Sequence, residues 1–192
     1  MDMDRARLQL NVLRNALYHA GQRRRYERYT RWSNFLVILL GASAMADLAR
    51  LLDFPGGALL PGLLTTIVGG LQLVFDFGGK ARDHQVLQRD YYTLLADIED
   101  APAADEAQIA RFCAVMTRIA TGEPPTLRAL DARAYNDALS GLGHWSEGER
   151  LHIPLWHRIA GSVSAFDGYQ YETLDERRVR RSVRDRLFSV KR

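Results

Sequence analysis

The sequence is poor in cysteine, because Cys113 is the only one in 192 residues. A disulfide-stabilised scaffold is therefore excluded, and a lone thiol is typical of a protein kept in a reducing compartment. Disorder of the whole chain is excluded as well, since 47% of the residues are hydrophobic and their burial can offset the entropy lost on ordering. The length allows one domain, or one domain with an appendage.

The sequence also lacks the motifs that bind phosphate, dinucleotides or zinc, and it has no nucleophile elbow. His152 and His157 are five residues apart, which places them on different faces of a helix rather than at one metal ion. The paired carboxylates Asp105 and Glu106 fall at a predicted helix start, where they suit the helix dipole. We therefore predict a protein that is not an enzyme and that uses no cofactor and no metal.

Charge is missing from two long stretches in the first half of the chain. Residues 32–46 and 54–75 contain no Asp, Glu, Lys or Arg. About 20 helical residues cross the hydrocarbon core of a bilayer, because each adds about 1.5 Å. The second stretch is long enough by itself, whereas the first spans only if it includes Asp47 and Arg50, which can form an ion pair.

These two stretches predict a transmembrane helical hairpin, with spans at residues 31–53 and 57–77 and a tight turn at Pro55-Gly56-Gly57. The alternative is a pair of buried helices in a soluble bundle. We favour the hairpin, because an uncharged run as long as the second is difficult to bury in so small a domain.

The basic residues are distributed unevenly around these stretches. Residues 1–31 carry eight arginines and no lysine, and Lys80 and Arg82 follow the second stretch, while only Arg50 lies near the turn. The positive-inside rule then places both termini in the cytoplasm. The predicted organisation is all-α, with an N-terminal amphipathic basic helix (1–30), the transmembrane hairpin (31–77) and a cytosolic helical region (78–192) that forms a bundle.

Helical periodicity continues through the polar remainder of the chain. Apolar residues recur at three and four within 80–99, 105–120, 126–139 and 172–192, which predicts four helices. Thr126 is the expected cap of the third of these, and Ser146-x-x-Glu149 has the spacing of a capping box.

Two groups of arginines are candidates for contact with a membrane surface. The first precedes the hairpin, where topology and anionic headgroups explain it, and the second lies on the amphipathic C-terminal helix, which suits the inner leaflet or an acidic partner. Nucleic acid is a less favoured partner, because no recognised reading motif is present. The candidates are Arg23, Arg24, Arg25, Arg28, Arg31, Arg177, Arg178, Arg180, Arg181 and Arg184.

Small and polar residues form one stripe on the second predicted span. At about 100° per residue, Gly62, Thr65, Gly69, Gln72 and Asp76 fall on a single helix face. Polar groups inside a bilayer face protein or water rather than lipid. The stripe is therefore either a seam for helix packing, which we favour, or the lining of an aqueous path in a homo-oligomer, and Asn34 on the first span suits both.

Several segments together resemble a known family. They are Leu17-Tyr18-His19-Ala20, the hairpin opening from Trp32 to Ala42, Leu71-Gln72-Leu73-Val74-Phe75, Ala81-Arg82-Asp83-His84 and Arg89-Asp90-Tyr91-Tyr92-Thr93-Leu94-Leu95. Their arrangement resembles the SLATT domain, a two-span module of bacterial conflict systems, over residues 8–120.

This resemblance implies a defence effector of the bacterial inner membrane that associates with itself into a pore and kills or arrests an infected cell. No sensor is encoded in the chain, so a separate sensor protein or a nucleotide signal would trigger it. The family supplies no catalytic residue. Two further classes stay open: a membrane-anchored scaffold or regulator that does not conduct, and a soluble helical adaptor that binds nucleic acid or protein.

Overall fold

The computed structural model describes residues 4–45, 59–143, 145–162 and 164–189. Within them the chain is all-helical and forms no β-strand, which confirms the predicted class. The helices are α1 (Arg5–Met45), α2 (Leu59–Phe75), α3 (Phe77–Glu99), α4 (Glu106–Ala120), α5 (Arg128–Leu142), α6 (Leu155–Ala160) and α7 (Leu174–Ser189), with a 3₁₀ helix at Glu147–Glu149.

The helix α1 is a single element of 41 residues that joins the basic segment to the first apolar stretch. No helix end occurs at the predicted boundary after residue 30. Isolated glycines such as Gly21 and Gly41 do not interrupt it, since a lone Gly lowers helix stability by only about 1 kcal/mol. The predicted turn and the Asp47–Arg50 pair lie outside the described residues.

The chain divides into two compact units. We call Met1–Gly21 with Val86–Arg192 the bundle unit, and Gln22–Gln85 the helix-pair unit. By their bounds, α1 and α3 each contribute residues to both.

The core of the bundle unit forms where α1 meets α3, and α4 packs against it. The apolar residues that recur at three and four along α4 face this core. Burial of such side chains stabilises a fold by roughly 25 cal/mol for each Å² removed from water. The buried set is Leu8, Val12, Ala16, Tyr91, Leu94, Leu95 and Ile98, covered by Ile109, Phe112, Val115, Met116 and Ile119.

A second cluster lies on another side of α1. There Leu10 is buried with Ala138 and Leu139 of α5, and Trp145 packs against them. The guanidinium of Arg14 also pairs with the Asp131 carboxylate of α5. The N-terminal part of α1 is therefore a core helix of the bundle unit, buried on more than one side, rather than an amphipathic helix with one apolar face.

Hydrogen bonds at helix starts correct two predicted caps and reveal a third that the sequence pattern had not indicated. Asp105 and Gln108 form a capping box at α4. At α5 the N-cap position is held by Leu127 rather than Thr126. Leu127 has an extended backbone and no side-chain cap bond, and its N–H donates to the Tyr18 hydroxyl at 3.0 Å. Ser146 makes no side-chain cap bond, and a 3₁₀ helix follows it.

Candidate membrane-facing helix pair

In the described residues of the helix-pair unit, the second half of α1 runs antiparallel to α2 and the start of α3. The Gln72 amide donates to Asn34 Oδ1 at 2.7 Å, the Tyr29 and Phe77 rings lie 5.5 Å apart, and the Tyr26 and His84 rings lie 5.6 Å apart. Residue numbers therefore fall along α2 and α3 as they rise along α1.

The outer surface of this pair is apolar and exposed. Ile38 is 71% exposed, Leu73 83% and Val74 78%. Monomeric soluble proteins rarely leave contiguous apolar patches larger than a few hundred Å² in water. The other exposed members are Trp32, Phe35, Leu36, Leu39, Leu59, Leu60, Leu63, Leu64, Ile67, Leu71 and Phe75.

One helical stretch, Leu59–Glu99, is long and apolar enough to cross a membrane. Its most apolar window of 18 residues has a mean hydropathy of 1.5, and 6% of that window is buried. Of the first predicted span, the structure describes residues 31–45, and the uncharged part of α1 begins there at Trp32.

The predicted polar stripe lies on the less exposed side of α2. Gly62, Thr65, Gly69 and Gln72 are half-buried, whereas most of the residues between them are exposed. Because Gln72 bonds to Asn34, this side of α2 faces α1. The Thr65 hydroxyl donates to the Pro61 carbonyl at 2.9 Å, so it needs no partner on another helix.

Asp76, the last member of the stripe, has a different local role. It separates α2 from α3 with a φ of +39°, a left-handed conformation that Asp tolerates better than most residues. Its carboxylate accepts the Gly79 N–H at 2.9 Å and so caps α3. A Cβ on Gly79 would overlap that carboxylate, which explains the glycine.

The arginines that precede the apolar part of α1 differ in environment. Arg23 and Arg31 pair with Glu27, at 2.7 and 3.4 Å, while Arg24 and Arg28 are exposed. Arg25 is buried instead, with its guanidinium carbon 5.0 Å from the centre of the Tyr26 ring. Within a single chain, Arg25 is therefore not available to lipid headgroups.

The C-terminal arginines surround an exposed apolar stripe on α7. Arg178 pairs with Asp175 at 3.1 Å and Arg180 with Glu172 at 2.6 Å, while Arg181 is exposed and Arg177 is half-buried. The side chain of Arg184 lies outside the described residues. Val179 and Val183 are exposed beside them, so the described part of the chain leaves these two apolar residues of α7 uncovered.

The sequence pattern did not indicate a buried polar network that the structure shows in the bundle unit. The Tyr91 hydroxyl donates to the Glu123 carboxylate, His19 Nε2 lies 3.1 Å from the same oxygen, and the His19 ring stacks on Tyr91 at 5.7 Å. Burial, and then the bond to Glu123, raise the pKa of Tyr91. The network connects the segment after α4 to α1 and α3.

In the part of the chain that the structure describes, no group of three or more His, Cys, Asp or Glu residues is placed so that it could hold a metal ion. Comparisons with protein-family models, curated proteins and solved structures found no match. The resemblance to the SLATT family therefore rests on the segments quoted above.

Proposed function

We propose that the chain is a membrane effector of a bacterial defence system, of the abortive-infection type. The apolar parts of α1 and α2 insert into the inner membrane as a two-span hairpin, and several copies associate into a pore when a partner sensor or a nucleotide signal acts. The resemblance to the SLATT family supports this assignment of the biological role.

The observation that carries the proposal is the large exposed apolar surface of the helix pair. Its large apolar side chains point outward along both helices, and the exposed Asn34 accepts a hydrogen bond from the half-buried Gln72 of the facing helix. In water this arrangement leaves much apolar surface solvated, but acyl chains solvate it well. Lipid is therefore the solvent that fits this unit.

Charge placement supports an orientation with both termini in the cytoplasm. Arg24, Arg28 and Arg31 are exposed just before the apolar part of α1, and Lys80 and Arg82 are exposed just after α2. These positions lie at the same end of an antiparallel pair, and basic residues are retained on the cytoplasmic side.

A non-conducting membrane scaffold or regulator is the second candidate, and one observation favours it. Within a single chain Gln72 is already bonded to Asn34, and Asp76 caps α3, so two polar groups of the stripe have partners without water. A pore requires several copies, because one hairpin cannot enclose a path.

Expression of the full chain with membrane fractionation and membrane-potential readout in the same cells tests both candidates. A pore effector is expected in the membrane fraction and depolarises the cells. A membrane-bound chain that leaves the potential intact supports the scaffold, and a chain that purifies without detergent contradicts both.

The polar pair can be tested separately with Asn34→Leu combined with Gln72→Leu. We expect insertion to persist and depolarisation to be lost, because a pore of several copies would turn these two amides from each other toward the aqueous path. Thr66→Val is the control, since Thr66 is exposed and its hydroxyl bonds to the Gly62 carbonyl at 3.0 Å. Undiminished depolarisation by the double variant would exclude these amides from the path.

A further inference from the structure

A cavity of about 340 Å³ lies in the bundle unit, between α5 and the segment that leads from Arg150 into α6. Three arginines from different places in the sequence converge on it: Arg133 of α5, Arg150, and Arg158 of α6. The volume is in the range of small-molecule sites, at its lower end. The cavity has room for a compact ligand rather than for a polymer.

The charge around this cavity is strongly positive. Asp137 is the single carboxylate among its described lining residues, against three guanidiniums. Arg150 is engaged by Glu147 at 3.2 Å, but that carboxylate is 81% exposed, so the pair is weak and exchangeable. Arg133 and Arg158 are exposed residues that line the cavity, and among the described residues neither side chain has a hydrogen bond or an ion pair.

The walls of the cavity are held in place by other contacts. The Asn136 amide donates to the Leu151 carbonyl at 2.9 Å and accepts the Leu151 N–H at 2.7 Å. The His157 ring stacks on Phe166 at 3.9 Å, and its Nδ1 lies 2.8 Å from the Tyr171 hydroxyl. A site that is already ordered loses less entropy when a ligand binds.

We propose that this cavity binds a small phosphate-bearing anion. Arginine is the residue best suited to this chemistry, because its planar fork of N–H donors matches two oxygens of one phosphate group. Three such forks around one cavity complement a diphosphate or a phosphate monoester. The inference concerns the bundle unit alone, and it holds whether or not the hairpin conducts ions.

Titration of the detergent-purified full chain with inorganic pyrophosphate tests the proposal, with chloride used to keep the ionic strength constant. We expect saturable binding by calorimetry. Arg133→Gln and Arg158→Gln should each weaken it about tenfold or more, as loss of a charge-assisted bond does. The control is Arg111→Gln, an exposed arginine of α4 outside the cavity, which should leave binding unchanged.

Absence of saturable binding would overturn the site. Equal weakening by Arg111→Gln would also overturn it, because pyrophosphate would then respond to the overall positive charge of the protein rather than to this cavity. Competition then identifies the source of the phosphate. Displacement of pyrophosphate by short-chain phosphatidic acid but not by glycerol phosphate assigns the site to a lipid headgroup. Displacement by both assigns it to a free phosphorylated compound.

Discussion

Single residues in this protein are explained by partners that lie far away in sequence. Glu123 accepts from Tyr91, 32 residues away, and approaches His19, 104 residues away. A carboxylate beside a buried tyrosine and a buried histidine is stable only because both supply hydrogen-bonding groups. The three residues are therefore expected to respond to substitution as one unit rather than independently.

Tyr91→Phe is expected to destabilise the bundle unit by about 1–3 kcal/mol, because it leaves the partly buried Glu123 carboxylate without its hydroxyl donor. The melting temperature of the purified chain measures this. Tyr92→Phe is the matched control, since Tyr92 is the exposed neighbour on α3. An equal change in both variants would mean that the network contributes nothing specific.

The pH dependence of folding stability provides a second test of the contact between Tyr91 and Glu123. Because the pKa of Tyr91 is raised in the folded state, the unfolded chain loses this proton first as pH rises past about 10. Stability from Tyr91 is thus complete below that pH and is lost above it. The alkaline fall in melting temperature should be steeper for the native chain than for Tyr91→Phe.

At the scale of helices, some helical segments are covered by other helices, whereas others leave their apolar side chains exposed. The early part of α1 is covered by α3, α4 and α5, whereas its part from Trp32 onward presents large apolar side chains to its surroundings. The helix α2 is exposed on its apolar face and half-buried on its polar stripe. A water-soluble helix has the opposite arrangement, with its polar face exposed.

Ile67→Arg should prevent stable insertion of α2. Ile67 is at the middle of the helix and 48% exposed, and an arginine there adds about 2.5–3.5 kcal/mol to the free energy of insertion. Alkaline extraction of membranes measures the loss. Val86→Arg is the control, because Val86 is 46% exposed but lies in the bundle unit. Retention of Ile67→Arg in extracted membranes would argue against a spanning α2.

At the scale of the molecule, the exposed apolar surface of the helix-pair unit leaves room for further copies. A single cysteine, Cys113, makes self-association measurable, since Cys113→Ala provides a thiol-free background. We expect Ile38→Cys, Leu63→Cys or Leu73→Cys in that background to form disulfide-linked dimers in membranes, because thiols at a helix contact come within bonding distance. Leu155→Cys, which is equally exposed but lies on α6, is the control. Failure of all three outward positions to cross-link would contradict a homo-oligomer.

The sequence by itself determined the local features of this protein. The all-α class and the helix start at Asp105 follow from periodicity, which needs no tertiary partner. The uncharged character of α2 likewise follows from composition alone. The polar stripe of α2 could also be predicted from the sequence, because the helical repeat determines which residues share one face of a helix.

Only the tertiary structure decided which of these faces find a partner. It buries Arg25, pairs Gln72 with Asn34 by a hydrogen bond, and places Arg133, Arg150 and Arg158 around one cavity. It also turned the start of α1 into a core helix and assigned Asp76 to a cap. Such outcomes depend on contacts between residues far apart in the chain, and a local pattern of hydropathy or charge carries no information about which segments will meet.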